Sequence, residues 1–225
     1  MTEYRLLYEN PLMGPEHLND FVNEGNPEIA FDRNGVILAN ADPEELGDYA
    51  HWVLWLNRVF PADIKIEWEF QPLREPGLCM LFFAAFGREG QPLFSPELQE
   101  RDGYYPQYHS GDINAYHISY YRRKFASERY FETCNLRKSH GFHLVAQGAD
   151  PLPAVADAID FYKLTVEKRH QLITFSINDL VLFRWEDDGE LGPVLQEGYI
   201  GFRQMAPMMA KYRNLKVFGI KEEGI

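Results

Sequence analysis

A chain of 225 residues with 45% hydrophobic and 15% aromatic side chains has ample apolar mass for a packed core, so general disorder is excluded and residues 1–225 read as one domain. Its 34 acidic against 22 basic side chains leave a net charge of -12, which opposes phosphate backbones and anionic lipid alike; no nucleic acid and no membrane is expected as a partner. The sequence shows no basic-then-apolar leader and no apolar run of bilayer length, and the expected location is the cytoplasm.

Turn-forming clusters at 33–35, 74–77, 87–92, 149–153, 177–179 and 187–193 divide the chain into short segments rich in Ile, Val, Phe, Tyr and Trp. This spacing predicts an all-β sandwich or jelly roll rather than alternating βαβ units. "DPEELGDYAHWVLWLNRVF" is open to a helical turn at its start, while "AHWVLWL" reads equally as a strand, and strand is the reading taken. In "DIKIEWEF", Ile64, Ile66, Trp68 and Phe70 alternate with Asp, Lys and Glu, the pattern of a strand with one buried face. "GLCMLFFAAF" is apolar on both faces and predicts a central strand covered on two sides. Cys79 and Cys134 sit in such apolar segments and read as buried free thiols. "LITFSINDLVLFRW" reads as a hairpin turning at Asn178-Asp179, residues that tolerate positive φ.

The stretch "YHSGDINAYHISYYRR" at 108–123 is unusual for a strand. Period-2 alternation sends Asn114, Tyr116, Ile118 and Tyr120 to the core and His117, Ser119, Tyr121 and Arg123 to an open face. The same rule turns Thr133, Asn135 and Arg137 outward, then His143 with Phe142 and Leu144 inward, then Arg203 and Met205 outward with Ile200 and Phe202 inward. Residues 109–143 hold six basic side chains, three acidic ones and four of the seven histidines, against the trend of the whole chain. Clustered arginine points to an anionic small ligand, because its planar fork matches a carboxylate. Tyr104, Tyr105 and Tyr108 in the preceding loop offer flat surfaces for sugar rings.

With "YHSGDINAYHISYYRRK", "TCNLRKSHGFHLVAQGADPLP", "YIGFRQMAPM" and "EPGLCMLFFAA", the sequence resembles the YesU-like family of bacterial proteins of undefined activity over nearly its whole length. The resemblance implies a concanavalin-A-like, galectin-like jelly-roll sandwich of two antiparallel sheets, one of them concave. That architecture commonly binds or cleaves carbohydrate across the concave sheet. It brings no catalytic residues with it, and fold analogy does not fix function.

Two classes of function follow. One is an enzyme on a uronate-containing glycan, for which β-elimination needs a cation on the carboxylate, a base and an acid. Arg137 and Arg203 are candidates to hold the carboxylate, His117 or His143 to act as base and Tyr121 as acid, with Arg123, Asn135 and Tyr108 completing the binding set. A glycoside hydrolase would instead need two facing carboxylates, for which Glu67, Glu69 and Asp112 are candidates. The other class is a galectin-like binding protein without chemistry. Oxygen-rich turns at Asp112 and Asn114, and at Asp187, Asp188 and Glu190, are of a type that can take Ca²⁺, but acidic turns are far commoner than calcium sites. The spacing of His140 and His143 does not place both on one strand face, so no zinc site follows. No metal and no cofactor is assigned, and the oligomeric state is left open.

Overall fold

The computed structural model describes residues 2–222. In chain order the strands are β1 (Thr2–Asn10), β2 (Phe21–Gly25), β3 (Pro27–Asp32), β4 (Gly35–Asn40), β5 (Trp52–Phe60), β6 (Ile64–Arg74), β7 (Leu78–Gly87) and β8 (Ile113–Tyr120). They continue as β9 (Thr133–Ser139), β10 (His143–Ala149), β11 (Tyr162–Arg169), β12 (Leu172–Ile177), β13 (Leu180–Glu186), β14 (Gly198–Met205) and β15 (Met209–Glu222). Two short helices, α1 (Pro106–His109) and α2 (Ala126–Phe131), flank β8. Every strand pairing is antiparallel.

The strands form an eight-stranded sheet ordered β13-β12-β11-β6-β15-β4-β3, with β1 also on β15, and a seven-stranded sheet ordered β10-β9-β8-β7-β14-β5-β2. This is the two-sheet sandwich that the sequence predicts. β6 shows why: Ile64, Ile66, Trp68 and Phe70 are buried in the core between the sheets, while Lys65, Glu67 and Glu69 lie on the opposite face. There Lys65 pairs with Glu67 at 3.1 Å and Arg213 with Glu69 at 2.5 Å. Asn178 and Asp179 take φ of 47° and 65°, so the β12–β13 turn has the two left-handed residues that a tight hairpin favours. Residues 44–50 are 3-10 turn and strand β5 begins at Trp52.

β7 is apolar on both sides because it faces two cores. Cys79, Leu81 and Phe83 pack between the sheets, whereas Leu78, Met80 and Phe82 join a second cluster with Val53, Trp55, Leu93, Tyr108 and Tyr199. The second cluster exists because the connection 88–112 folds back over the outer face of the seven-stranded sheet as a roof. Arg101 ties the roof down through Glu24 on β2 at 2.8 Å, and Trp55 Nε1 donates to the same carboxylate at 2.8 Å. Cys79 and Cys134 are buried free thiols.

On the inner side, Lys138 sits 2.7 Å from Asp187 with both side chains almost wholly buried, and the Tyr116 hydroxyl donates to the same carboxylate. The pair fastens the 187–195 connection to the sheet, since Lys138 also donates to the Gly192 carbonyl at 2.7 Å and Leu195 N to the Tyr116 oxygen at 3.0 Å. Asp187 thus answers a lysine, where an oxygen-rich calcium turn was one option from the sequence. Among the described residues no group of three or more His, Cys, Asp or Glu is placed to hold a metal ion. Lys138→Met alone strands a buried carboxylate and is expected to cost about 3–5 kcal/mol in urea denaturation. Adding Asp187→Leu to Lys138→Met is expected to recover most of that loss; equal costs for the single and double variants would show that the two side chains are not coupled.

Candidate functional site

The register of the seven-stranded sheet builds two transverse rows on its outer face. One row runs Gln147, Asn135, Ser119, Met80, Arg203, Val53, Glu24. The next runs Leu144, Arg137, His117, Phe82, Gly201, Trp55, Val22. The roof covers the middle of both rows and leaves a groove on the β9 side with a volume of about 350 Å³. Arg137, Asn135, Ser119, Met80 and Met205 belong to its floor, with Tyr105, Phe142, Phe125, Glu128 and Asp48 around it.

Arg137 is the groove's free cation. Its guanidinium lies 3.9 Å from the centre of the Phe142 ring, Nη1 donates to the Phe142 carbonyl at 2.9 Å, and among the described residues no carboxylate forms an ion pair with it. The neighbouring Arg122 is committed to Glu128 at 2.8 Å. Asn135 holds its amide 2.8 Å from that of Gln147. Asp48 places a carboxylate at the groove edge. Ala206 N donates to His51 Nδ1 at 3.0 Å, which puts the imidazole proton on Nε2, 3.3 Å from the Asp48 carboxylate.

His117 and Arg203 lie under the roof, both 0% exposed. Tyr105 Oη is 3.0 Å from His117 Nε2, and the Tyr105 and Tyr108 rings stand 4.7 and 5.2 Å from the Arg203 guanidinium. Burial, followed by the charge of Arg137, holds His117 neutral, with its pKa well below the usual histidine range. Burial likewise pushes Tyr105 up to about 12 and His51 down to about 2, and brings His109, beside Phe142, down to about 4. Positive charge at this face therefore comes from arginine and not from histidine.

Several expected positions are corrected. Tyr121 takes φ of 49° at the end of β8, which breaks the alternation and sends its ring into the inter-sheet core, 5.9 Å from Phe70, with its hydroxyl donating to Glu75 at 2.8 Å. Arg123 follows that break and is buried against Asp150 at 3.4 Å and the Leu152 carbonyl at 3.0 Å. His143 lies opposite Lys138, on the inner side, because Gly141 and Phe142 both adopt positive φ and the chain re-enters the sheet out of phase. The same turn brings Phe142 into the groove and Leu144 beside Arg137, the reverse of the expected facing. The expected base and acid are thus not assembled: His117 is roofed over, and His143 and Tyr121 face away. Glu67 and Glu69 stand on the outer face of the other sheet, and Asp112 Oδ2 accepts from Gln99 N at 2.6 Å, so these three carboxylates do not face one another.

Asn135, Arg137, His117 and Arg203 do share the outer face, and Tyr108 belongs to the roof, its ring in the second cluster and its hydroxyl accepting from Gly103 N at 2.9 Å. Sequence reasoning passed over Phe142, Phe125 and Asp48, which enter the groove from turns whose direction no periodicity encodes.

Neutral buried histidines fix the sign of a pH effect. Their folded pKa values lie below the unfolded value near 6.5, so the unfolded chain binds more protons and stability falls as pH drops below about 6.5. His117→Gln is expected to reduce this slope by about 1.4 kcal/mol per pH unit between pH 6 and 5 in denaturation measurements, and an unchanged slope would show that the imidazole is protonated in the fold.

Comparison with known proteins places this geometry in context. The chain is 52% identical over 212 residues to "Uncharacterized protein YesU" of Bacillus subtilis (strain 168), with 94% of each chain covered. A crystal structure of a Bacillus subtilis protein of unknown function with a galectin-like fold superposes with a TM-score of 0.93 at 49% identity, covering 99% of this chain and 100% of that one. The potassium-bound Emp46p carbohydrate recognition domain gives a TM-score of 0.63 at 13% identity, covering 96% and 98%, a likeness of fold alone. Residues 5–217 match the family model described as domain of unknown function DUF1961, and the chain belongs to that family.

Proposed function

We propose that this protein binds an acidic, uronate-type oligosaccharide in the groove beside the roof, without chemistry on it. The observation that carries the reading is Arg137. An arginine held over an aromatic ring, in the lining of a groove and without an ion pair among the described residues, has the planar fork that a sugar carboxylate fits. Burial also lowers its pKa, the signature of a charge kept partly out of water, where an ionic contact is worth more. Around it stand the groups that read a sugar ring: Tyr105, Phe142 and Phe125 as flat surfaces, and Asn135, Ser119 and Asp48 as hydrogen-bonding partners.

The comparisons lend support of a general kind. The Emp46p domain, which shares the fold, is by its description a carbohydrate recognition domain. Binding is preferred to elimination or hydrolysis because His117 is covered by Tyr105, His143 and Tyr121 face away from the groove, and its Glu128 is occupied by Arg122.

Isothermal titration with trigalacturonate and with its neutral galactose counterpart tests the reading. The acidic trisaccharide is expected to bind and the neutral one to bind at least about tenfold more weakly, with Arg137→Ala erasing most of the difference. Ligand recovered intact after incubation supports binding alone, whereas new ultraviolet absorbance or new reducing ends would replace it with lyase or hydrolase activity. Equal affinity for the two sugars would remove the acidic specificity.

A further inference from the structure

Arg203 stands apart among the buried arginines. Arg101 and Arg123 each sit against a carboxylate, at 2.8 and 3.4 Å. Arg203 is 0% exposed and forms no ion pair among the described residues. Its Nη1 donates to the Gly103 carbonyl at 2.8 Å, while Nε and Nη2 have no hydrogen-bond partner. Those two nitrogens form one edge of the guanidinium, the edge that grips a carboxylate with two parallel hydrogen bonds. A charge buried with its binding edge unused is unfavourable in the folded protein by itself, and such exceptions concentrate where a ligand supplies the missing partner.

Side chains that line the groove also adjoin this guanidinium. Met80, directly across the strand pairing from Arg203, and Met205, two residues along β14, both line the groove, and so does Tyr105, whose ring lies over the guanidinium. The Tyr105 ring is steadied by its contact with His117 Nε2, and His117 Nδ1 is itself buried without a partner. The rest of the roof is held to the sheet by Arg101 on Glu24 and by Arg203 Nη1 on the Gly103 carbonyl, and is braced within itself by Tyr108 with Gly103 N and Asp112 with Gln99 N. Tyr105 is the groove-lining ring that lies against the guanidinium, so rotation about its own side-chain torsions is the movement that would open a path to it.

We propose that Tyr105 is a gate and that Arg203 is an inner carboxylate subsite behind it. The ligand docks one acidic group at Arg137, displaces the Tyr105 ring and seats a second on Nε and Nη2 of Arg203. This rests on the acidic-sugar reading of the groove and deepens it, from a single acidic group to a chain carrying at least two.

The test follows the Nε–Hε resonance of Arg203 in the ¹⁵N-labelled parent, alongside titration calorimetry of Arg203→Met and Tyr105→Ala. Trigalacturonate is expected to move that resonance and the neutral trisaccharide to leave it in place. Arg203→Met is expected to lower trigalacturonate affinity by about tenfold or more, and Tyr105→Ala to speed association in stopped flow. If the parent prefers trigalacturonate, Arg137→Ala erases most of that preference, and yet the Arg203 resonance stays still with Arg203→Met within about twofold of the parent, the inner subsite is overturned and the groove reading survives. If the parent binds no uronate, the groove reading fails, and titration of Tyr105→Ala with acetate decides the subsite: a saturating shift at Arg203 retains it and no shift ends it. Should Arg203→Met not fold, the resonance in the parent decides alone.

Discussion

The register of the seven-stranded sheet is the constraint on which the rest of this molecule depends. Because side chains alternate strictly, a slip of one residue in β8 would exchange Tyr116, Ile118 and Tyr120 for His117 and Ser119 in the core. Three aromatic or aliphatic side chains would then lose their packing between the sheets while an imidazole took their place there. The hydrophobic cost of that exchange is what brings Asn135, Ser119, Met80 and Arg203 into one line, and Arg137, His117 and Phe82 into the next. Site geometry here is a by-product of core burial.

Upon that register the roof at 88–112 imposes a second layer. A face that would otherwise be open and solvated becomes partly a second core, and the polar groups beneath it are changed accordingly. Histidines there are held neutral and tyrosine hydroxyls protonated, so arginine alone supplies charge. The difference between Arg137, stacked on Phe142 at the groove wall, and Arg203, sealed under Tyr105, is a difference in cover and not in chemistry.

Much of this was legible in the sequence where period-2 alternation ran unbroken. "IEWEF", "AYHISY" and "FRQM" state their faces directly, and Asn178-Asp179 states its turn. Legibility ended where the backbone entered the left-handed region at an aromatic residue that no turn motif marks. Tyr121 at 49° and Phe142 at 58° each reset the phase, which misplaced Tyr121, Arg123, His143 and Leu144. Loop residues were the other blind spot. Tyr105 was recognisable as an aromatic surface, but nothing in "DGYYPQYHSGD" says that it closes over an arginine a hundred residues away in the chain.

The roof also changes what shape the sheet presents. On the far side from the groove, Val22, Asn23 and Glu24 of β2 and the segment 93–102 enclose another depression, of about 760 Å³, that shares no lining residue with the first. Seven strands side by side would make a continuous trough along which a polymer could lie. Interrupted by Leu93, Tyr105 and Tyr108, the trough becomes two bays, and the reach of an occupant across the sheet is set by that wall and not by the width of the sheet.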